Sequence, residues 1–105
     1  MEKIEIPKVP NAHLSFFWYS VHYYWLKNTT EPTVPDLTNM LKSSILAEMA
    51  EDINKHIKKG SKKTTIKLPY YKAIVLAESL VKYPQTDNQR HLAEKYKLIL
   101  LPKLI

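Results

Sequence analysis

Seven prolines, at positions 7, 10, 32, 35, 69, 84 and 102, stand against a single glycine, Gly60. Proline fixes φ and lacks an N–H, so it opens or closes regular structure and is seldom found inside it. The chain is therefore cut into pieces of helix length, each of which can be tested for its own periodicity. Scarce glycine also has a chemical meaning. Loops that cradle phosphate need several glycines to bring the backbone close, and the Walker and dinucleotide fingerprints are absent.

Residues 1–12 read as an extended arm, in which Ile4 and Ile6 alternate with Lys3 and Glu5 before Pro7 and Pro10 end any regular structure. Residues 64–68, just before Pro69, alternate in the same way. Residues 3–6 and 64–68 could pair as a minor two-strand ribbon.

Residues 13–28, HLSFFWYSVHYYWLKN, carry seven Phe, Tyr and Trp rings. At about 100° per residue, Leu14, Phe17, Trp18, Val21 and Trp25 share one face, while Phe16, Tyr19, Tyr23 and Lys27 gather on the other. A strand here would be aromatic on both faces and far longer than the usual five or so residues, so a helix is expected. The first face should anchor the core, because an aromatic side chain buries roughly 150 to 250 Å².

A second helix is expected over 34–59. Thr33 to Asp36 fits a capping residue followed three positions later by an acid. Leu37, Leu41, Ile45, Met49, Ile53 and Ile57 make an i, i+4 ladder that drifts about 40° per step, so its two ends should meet different neighbours. Gly60, after Lys58 and Lys59, stands where a left-handed C-terminal cap belongs. A third helix, 69–83, has Tyr70, Ala73, Ile74, Ala77, Leu80 and Val81 as its inner stripe. The capping-box pattern TDNQ at 86–89 starts a fourth, 87–100, with Leu92, Tyr96, Ile99 and Leu100 inward and Pro102 as its end. The expected fold is all-α: one domain over 1–105, an irregular four-helix bundle with an extended N-terminal arm. A chain of 105 residues, 45% hydrophobic and 25% charged, has ordinary globular proportions for one core.

Enzymatic chemistry finds little support. With no cysteine there is no disulfide, thiol nucleophile or thiolate metal site. No two of the four histidines, 13, 22, 56 and 91, are three to five residues apart. Asp52 and His56 lie one helical turn apart, but a tight metal site needs about three or four protein ligands. Glu48, Glu51 and Asp52 fall on the polar side of the second helix, and no serine sits in a glycine-flanked elbow. The chain reads as a non-enzyme with no catalytic residue, cofactor, metal or small-molecule substrate in evidence. Residues 16–26 are its most apolar window, interrupted by Ser20 and His22, whereas a spanning helix needs about 20 apolar residues. No membrane contact is expected. The first residues lack the apolar run and cleavage site of a signal peptide, and a cytoplasmic home is the simpler reading.

Charge is distributed unevenly. Residues 1–54 hold four lysines against seven acids, net −3, and residues 55–105 hold twelve basic residues against three acids, net +9. The steepest part, 55–72, has seven lysines and no acid, with Tyr70 and Tyr71 near its end. Two functional readings follow. The first is a protein-interaction module, contacting a partner protein or its own copy through Phe16, Tyr19 and Tyr23, since tyrosine with other aromatic residues is enriched at interfaces. The second is nucleic-acid binding through Lys58, Lys59, Lys62, Lys63, Lys67 and Arg90, with a tyrosine to stack a base. Against the second, one arginine among sixteen basic residues is few for bidentate recognition of guanine or phosphate. A helix-turn-helix reading, with Asn88 to His91 reaching base edges, rests on a short turn that any bundle contains.

Overall fold

A computed structural model describes residues 3–30, 37–82 and 86–105. Strand β1 (Lys3–Pro10) leads into α1 (Asn11–Thr30), which is followed by α2 (Leu37–Lys59), β2 (Lys63–Pro69), α3 (Tyr70–Lys82) and α4 (Asp87–Leu104). The expected all-α class needs correcting: four helices are present, but the two extended pieces form a true antiparallel sheet that packs against α1, α3 and α4. Residues 34–36 of the expected second helix, its Thr33 cap and Tyr83 lie outside the described residues.

The ribbon pairs Ile4 with Leu68, Glu5 with Lys67 and Ile6 with Ile66, then breaks step and resumes with Val9 against Thr64. Two residues on β1 thus stand opposite one, Thr65, on β2. Pro7 and Lys8 occupy this bulge, and Lys8 takes a positive φ of 51°. Instead of ending the strand, Pro7 sits where no ladder hydrogen bond is needed. The extra residue also shifts the phase of the pleat. Val9 rather than Lys8 therefore follows Ile6 into the core, and both apolar side chains are fully buried.

α1 is a helix, as its aromatic periodicity requires, but its buried arc is turned from the expected stripe. Leu14, Phe17 and Val21 are buried as expected. Phe16, Ser20 and Tyr24 are buried with them, while Trp18 and Trp25 are only half-buried at the edge. Phe16, at 5% exposure, is therefore core and not part of an outer aromatic face. The physical cause is that α1 packs against both α2 and α3, so the centre of its buried arc rotates toward the side of Phe16 and Ser20.

Drift along the α2 ladder turns one end to solvent, where two different neighbours were expected. Met49 and Ile53 are buried with Leu46, while Leu37 and Leu41 are exposed. Gly60 adopts φ 74° and its N–H bonds the Ile57 carbonyl at 3.1 Å, closing the helix as a left-handed cap does. α3 departs further from expectation. Ala73, Ala77 and Leu80 point inward, but Tyr70, Ile74 and Val81 face outward, and Lys72, Val75, Leu76 and Ser79 are buried instead. α3 is contacted by all three other helices and by both strands, so one narrow stripe could not serve it. In α4 the Thr86 hydroxyl accepts from the Gln89 N–H at 3.1 Å, the expected N-cap, and Ala93, Tyr96 and Leu100 are buried. Pro102 does not end this helix, which continues to Leu104. In the last turn proline leaves only the Leu98 carbonyl without its helical donor, and Leu98 lies in solvent. The core runs through all six elements, from Ile6 and Ile66 of the sheet to Leu100 of α4.

Candidate interaction face

The outer side of α1 is built from residues its sequence leaves nowhere else to go. In twenty residues the helix holds one lysine, no arginine and no carboxylate, so whichever side it turns to solvent is poor in charge. That side presents Tyr19, 63% exposed, and Tyr23, 40% exposed, with Leu26 one turn on. Lys27 places its ammonium 5.7 Å from the centre of the Tyr23 ring.

Beside the tyrosines runs a row of stacked rings. The His22 imidazole lies 4.6 Å from the Trp18 indole at an interplanar angle of 11°, and 5.9 Å from the Trp25 indole at 21°. Tyr19 meets Trp18 edge-on at 5.3 Å. The spacing of i−4 and i+3 around His22 produces this row on any regular helix. The two expected interface tyrosines thus belong to one pre-arranged aromatic surface, and Phe16 is replaced in it by Trp18, His22 and Trp25.

Polar clamps fix the orientation of α1. Tyr24 donates to the Glu78 carboxylate, and the Lys42 ammonium lies 3.0 Å from the Tyr24 hydroxyl and 3.3 Å from Glu78, so three helices meet at one phenol. Burial alone would raise the Glu78 carboxyl, but the Tyr24 hydrogen bond and the Lys42 charge outweigh it and hold the group below its ordinary value. The bond to Tyr24 likewise raises Lys42, with help from Glu78 and against desolvation. The Asn28 side chain donates to the Asn39 carbonyl at 3.0 Å and to Ser43 at 2.8 Å. At the other end, His13 Nδ1 and the Tyr96 hydroxyl share a 2.6 Å hydrogen bond. Burial, then the charge of Lys95, lowers His13, and burial pushes the Tyr96 phenol up to about 12. This pair is held neutral.

The expected basic residues divide into three places. Lys58, Lys59, Lys62 and Lys63 are exposed around the α2–β2 turn, and Lys8 lies beside them across the ribbon, where Val9 faces Thr64 and Pro10 faces Lys63. None of these five enters an ion pair among the described residues. Lys67 faces Glu5 at 3.6 Å across the sheet. Arg90 is bonded to Asp87 at 2.8 Å on α4 and borders a groove with Val81, Glu94 and Lys97, apart from the lysine turn. Tyr70 is committed to the Leu104 carbonyl.

Two features escaped the sequence. Lys72 is 8% exposed, its ammonium 2.6 Å from Glu48 and 3.9 Å from Asp52. The hydrogen bond to Glu48 raises it above the ordinary lysine value, against the effect of burial. Its place in a stretch of exposed lysines hid it, although the flanking Ala73, Val75 and Leu76 are the signal of a buried turn. The second feature is a pocket between α2 and β2, described below. Among the described residues no cluster of three metal-binding side chains occurs, and no helix is long and apolar enough to cross a membrane. No family model, curated protein or solved structure matches this chain.

Proposed function

We propose that this protein is a non-enzymatic interaction module that binds a partner protein, or a second copy of itself, through the outer face of α1. One observation carries the reading: a helix whose solvent side holds Tyr19 and Tyr23 beside a stacked, half-buried Trp18–His22–Trp25 row, with Lys27 as its one charged side chain. Stacked rings lose little rotamer freedom on binding, and Tyr and Trp dominate interface hot spots. A second copy is chemically acceptable because antiparallel pairing of two α1 helices keeps the two Lys27 ammoniums apart. The working location is the cytoplasm, where a cysteine-free chain loses nothing by forming no disulfide.

Both tryptophans of the chain lie on this face, so their emission reports its burial directly. The expected result is a concentration-dependent shift of emission to shorter wavelength with a dimer in sedimentation equilibrium, or the same shift on adding a captured partner. Tyr19→Ala with Tyr23→Ala should weaken the association at least about tenfold while circular dichroism stays unchanged. A wild type that remains monomeric at high concentration sinks the self-pairing form, and a double variant that associates as well as wild type sinks the face.

A second reading rests on the five lysines around the α2–β2 turn, whose charge is not offset by any carboxylate within ion-pair distance among the described residues. It makes the protein a nucleic-acid binder by phosphate neutralisation. Replacing Lys58, Lys59, Lys62 and Lys63 with Gln should then weaken binding to mixed-sequence strands and flatten its salt dependence. No binding by the wild type at low salt removes this reading.

A further inference from the structure

The pocket between the C-terminal half of α2 and β2 has a volume of about 230 Å³ and reaches the ring of Phe17 at the centre of the core. Close-packed interiors keep few voids larger than a water molecule. Its floor is apolar, made by Phe17, Met49, Ile53, Ile66 and Leu76, so water inside would find few hydrogen-bond partners. Polar groups occur only at the mouth: Asp52, Lys55 and His56 along one side of α2, and Lys67 on β2.

We propose that this pocket binds a small amphipathic anion, an aryl or short alkyl carboxylate, with its apolar body against Phe17, Ile66 and Leu76 and its head between Lys55 and Lys67. The sign follows from the residues at the mouth, two lysines against one aspartate. Lys55 and Lys67 are held only by exposed, long pairs, to Glu51 at 3.9 Å and to Glu5 at 3.6 Å. Such pairs are weak enough for the side chains to turn to a ligand. The size follows from the volume: a cavity of about 150 Å³ holds benzene, so this one takes a single substituted ring or a chain of about six to eight carbons. The site is separate from the α1 face, since Phe17 points inward and Tyr19 and Tyr23 outward.

The test titrates methyl-labelled protein with 4-phenylbutyrate and, in parallel, with its neutral amide, following the methyl resonances of Ile53, Ile66 and Leu76. Saturable shifts are expected for the acid, with affinity about tenfold lower for the amide and for the Lys55→Gln, Lys67→Gln double variant. Leu68 also lines this pocket, and Leu68→Trp, which narrows it, should abolish the shifts. Both lysines are exposed, so the double variant remains informative if Leu68→Trp does not fold. The proposal is overturned if no methyl of this set shifts saturably at roughly millimolar acid. Equal binding of acid and amide, or undiminished binding by Leu68→Trp, overturns it too. Shifts confined to residues next to Tyr19 and Tyr23 assign the probe to the other face and also overturn it.

Discussion

Ser20 and Lys72 show how single polar groups are tolerated in this core at different cost. Ser20 is 2% exposed and its hydroxyl has no hydrogen-bond partner among the described residues. Burying an unmade hydrogen bond costs about 1 to 3 kcal/mol. Ser20→Ala should therefore stabilise the protein by about 1 kcal/mol, read as a raised midpoint in urea with unchanged slope. Lys72 is different because its charge is answered. Lys72→Met keeps the packing of the stem and returns two half-exposed carboxylates to water, so stability should change by no more than about 1 kcal/mol. Glu48→Gln with Asp52→Asn instead leaves the buried ammonium unanswered, and should cost about 1 to 2 kcal/mol, less than a fully buried pair would. Equal losses from both variants in chemical unfolding would refute this account of the pair.

At the level of elements, helix ends and faces behave by separate rules. The ends are local. Thr86 caps α4 through the Gln89 N–H, and Thr86→Ala should cost about 1 kcal/mol, seen as a lowered melting temperature and faster amide exchange in the first turn of α4 alone. The faces depend on neighbours. α1 has rings on all sides, so packing by α2 and α3 chose which of them to bury, and left Tyr19 and Tyr23 outside with the Trp18–His22–Trp25 row half-buried at the edge. The same holds for α3, whose outward Ile74 and Val81 look like core positions on a helical wheel.

The whole molecule should lose stability at both ends of the pH scale. On the acid side, folding disfavours the protonated His13, so stability falls as pH drops below the unfolded value of 6.5. The Glu78 carboxyl is held below its ordinary value; its contribution is complete above 4.5 and is lost as pH falls through the folded value. On the alkaline side, the unfolded tyrosine ionises at 10.0 while buried Tyr96 resists until about 12, so unfolding gains as pH rises above 10.0. Lys42 and Lys72, raised by their partners, add to this loss above 10.5. Urea midpoints from roughly pH 4 to pH 11 should form a plateau with two falling limbs, and His13→Gln should flatten the limb just below 6.5. A midpoint that keeps rising as the pH drops below 6.5 would contradict the neutral pair of His13 with buried Tyr96.

The sequence by itself determined what depends on near neighbours along the chain. Proline spacing set the four helical pieces, TDNQ set the start of α4, Gly60 set the end of α2, and the alternations at 3–6 and 64–68 set two strands that pair with each other. These signals are legible because caps, left-handed residues and pleat periodicity act within a few bonds of the residue that carries them. Tyr19 and Tyr23 were legible as outer positions for the same reason, being on the far side of a regular helix from Phe17 and Val21. Only the tertiary structure decided that Phe16 belongs to the core, that Lys72 is buried against Glu48, that Pro7 lies in a bulge, and that Met49, Ile66 and Leu76 enclose a pocket with lysines at its mouth. Each of those depends on which elements meet and at what angle. That is fixed by packing between residues far apart in the chain, to which helical and strand periods are blind.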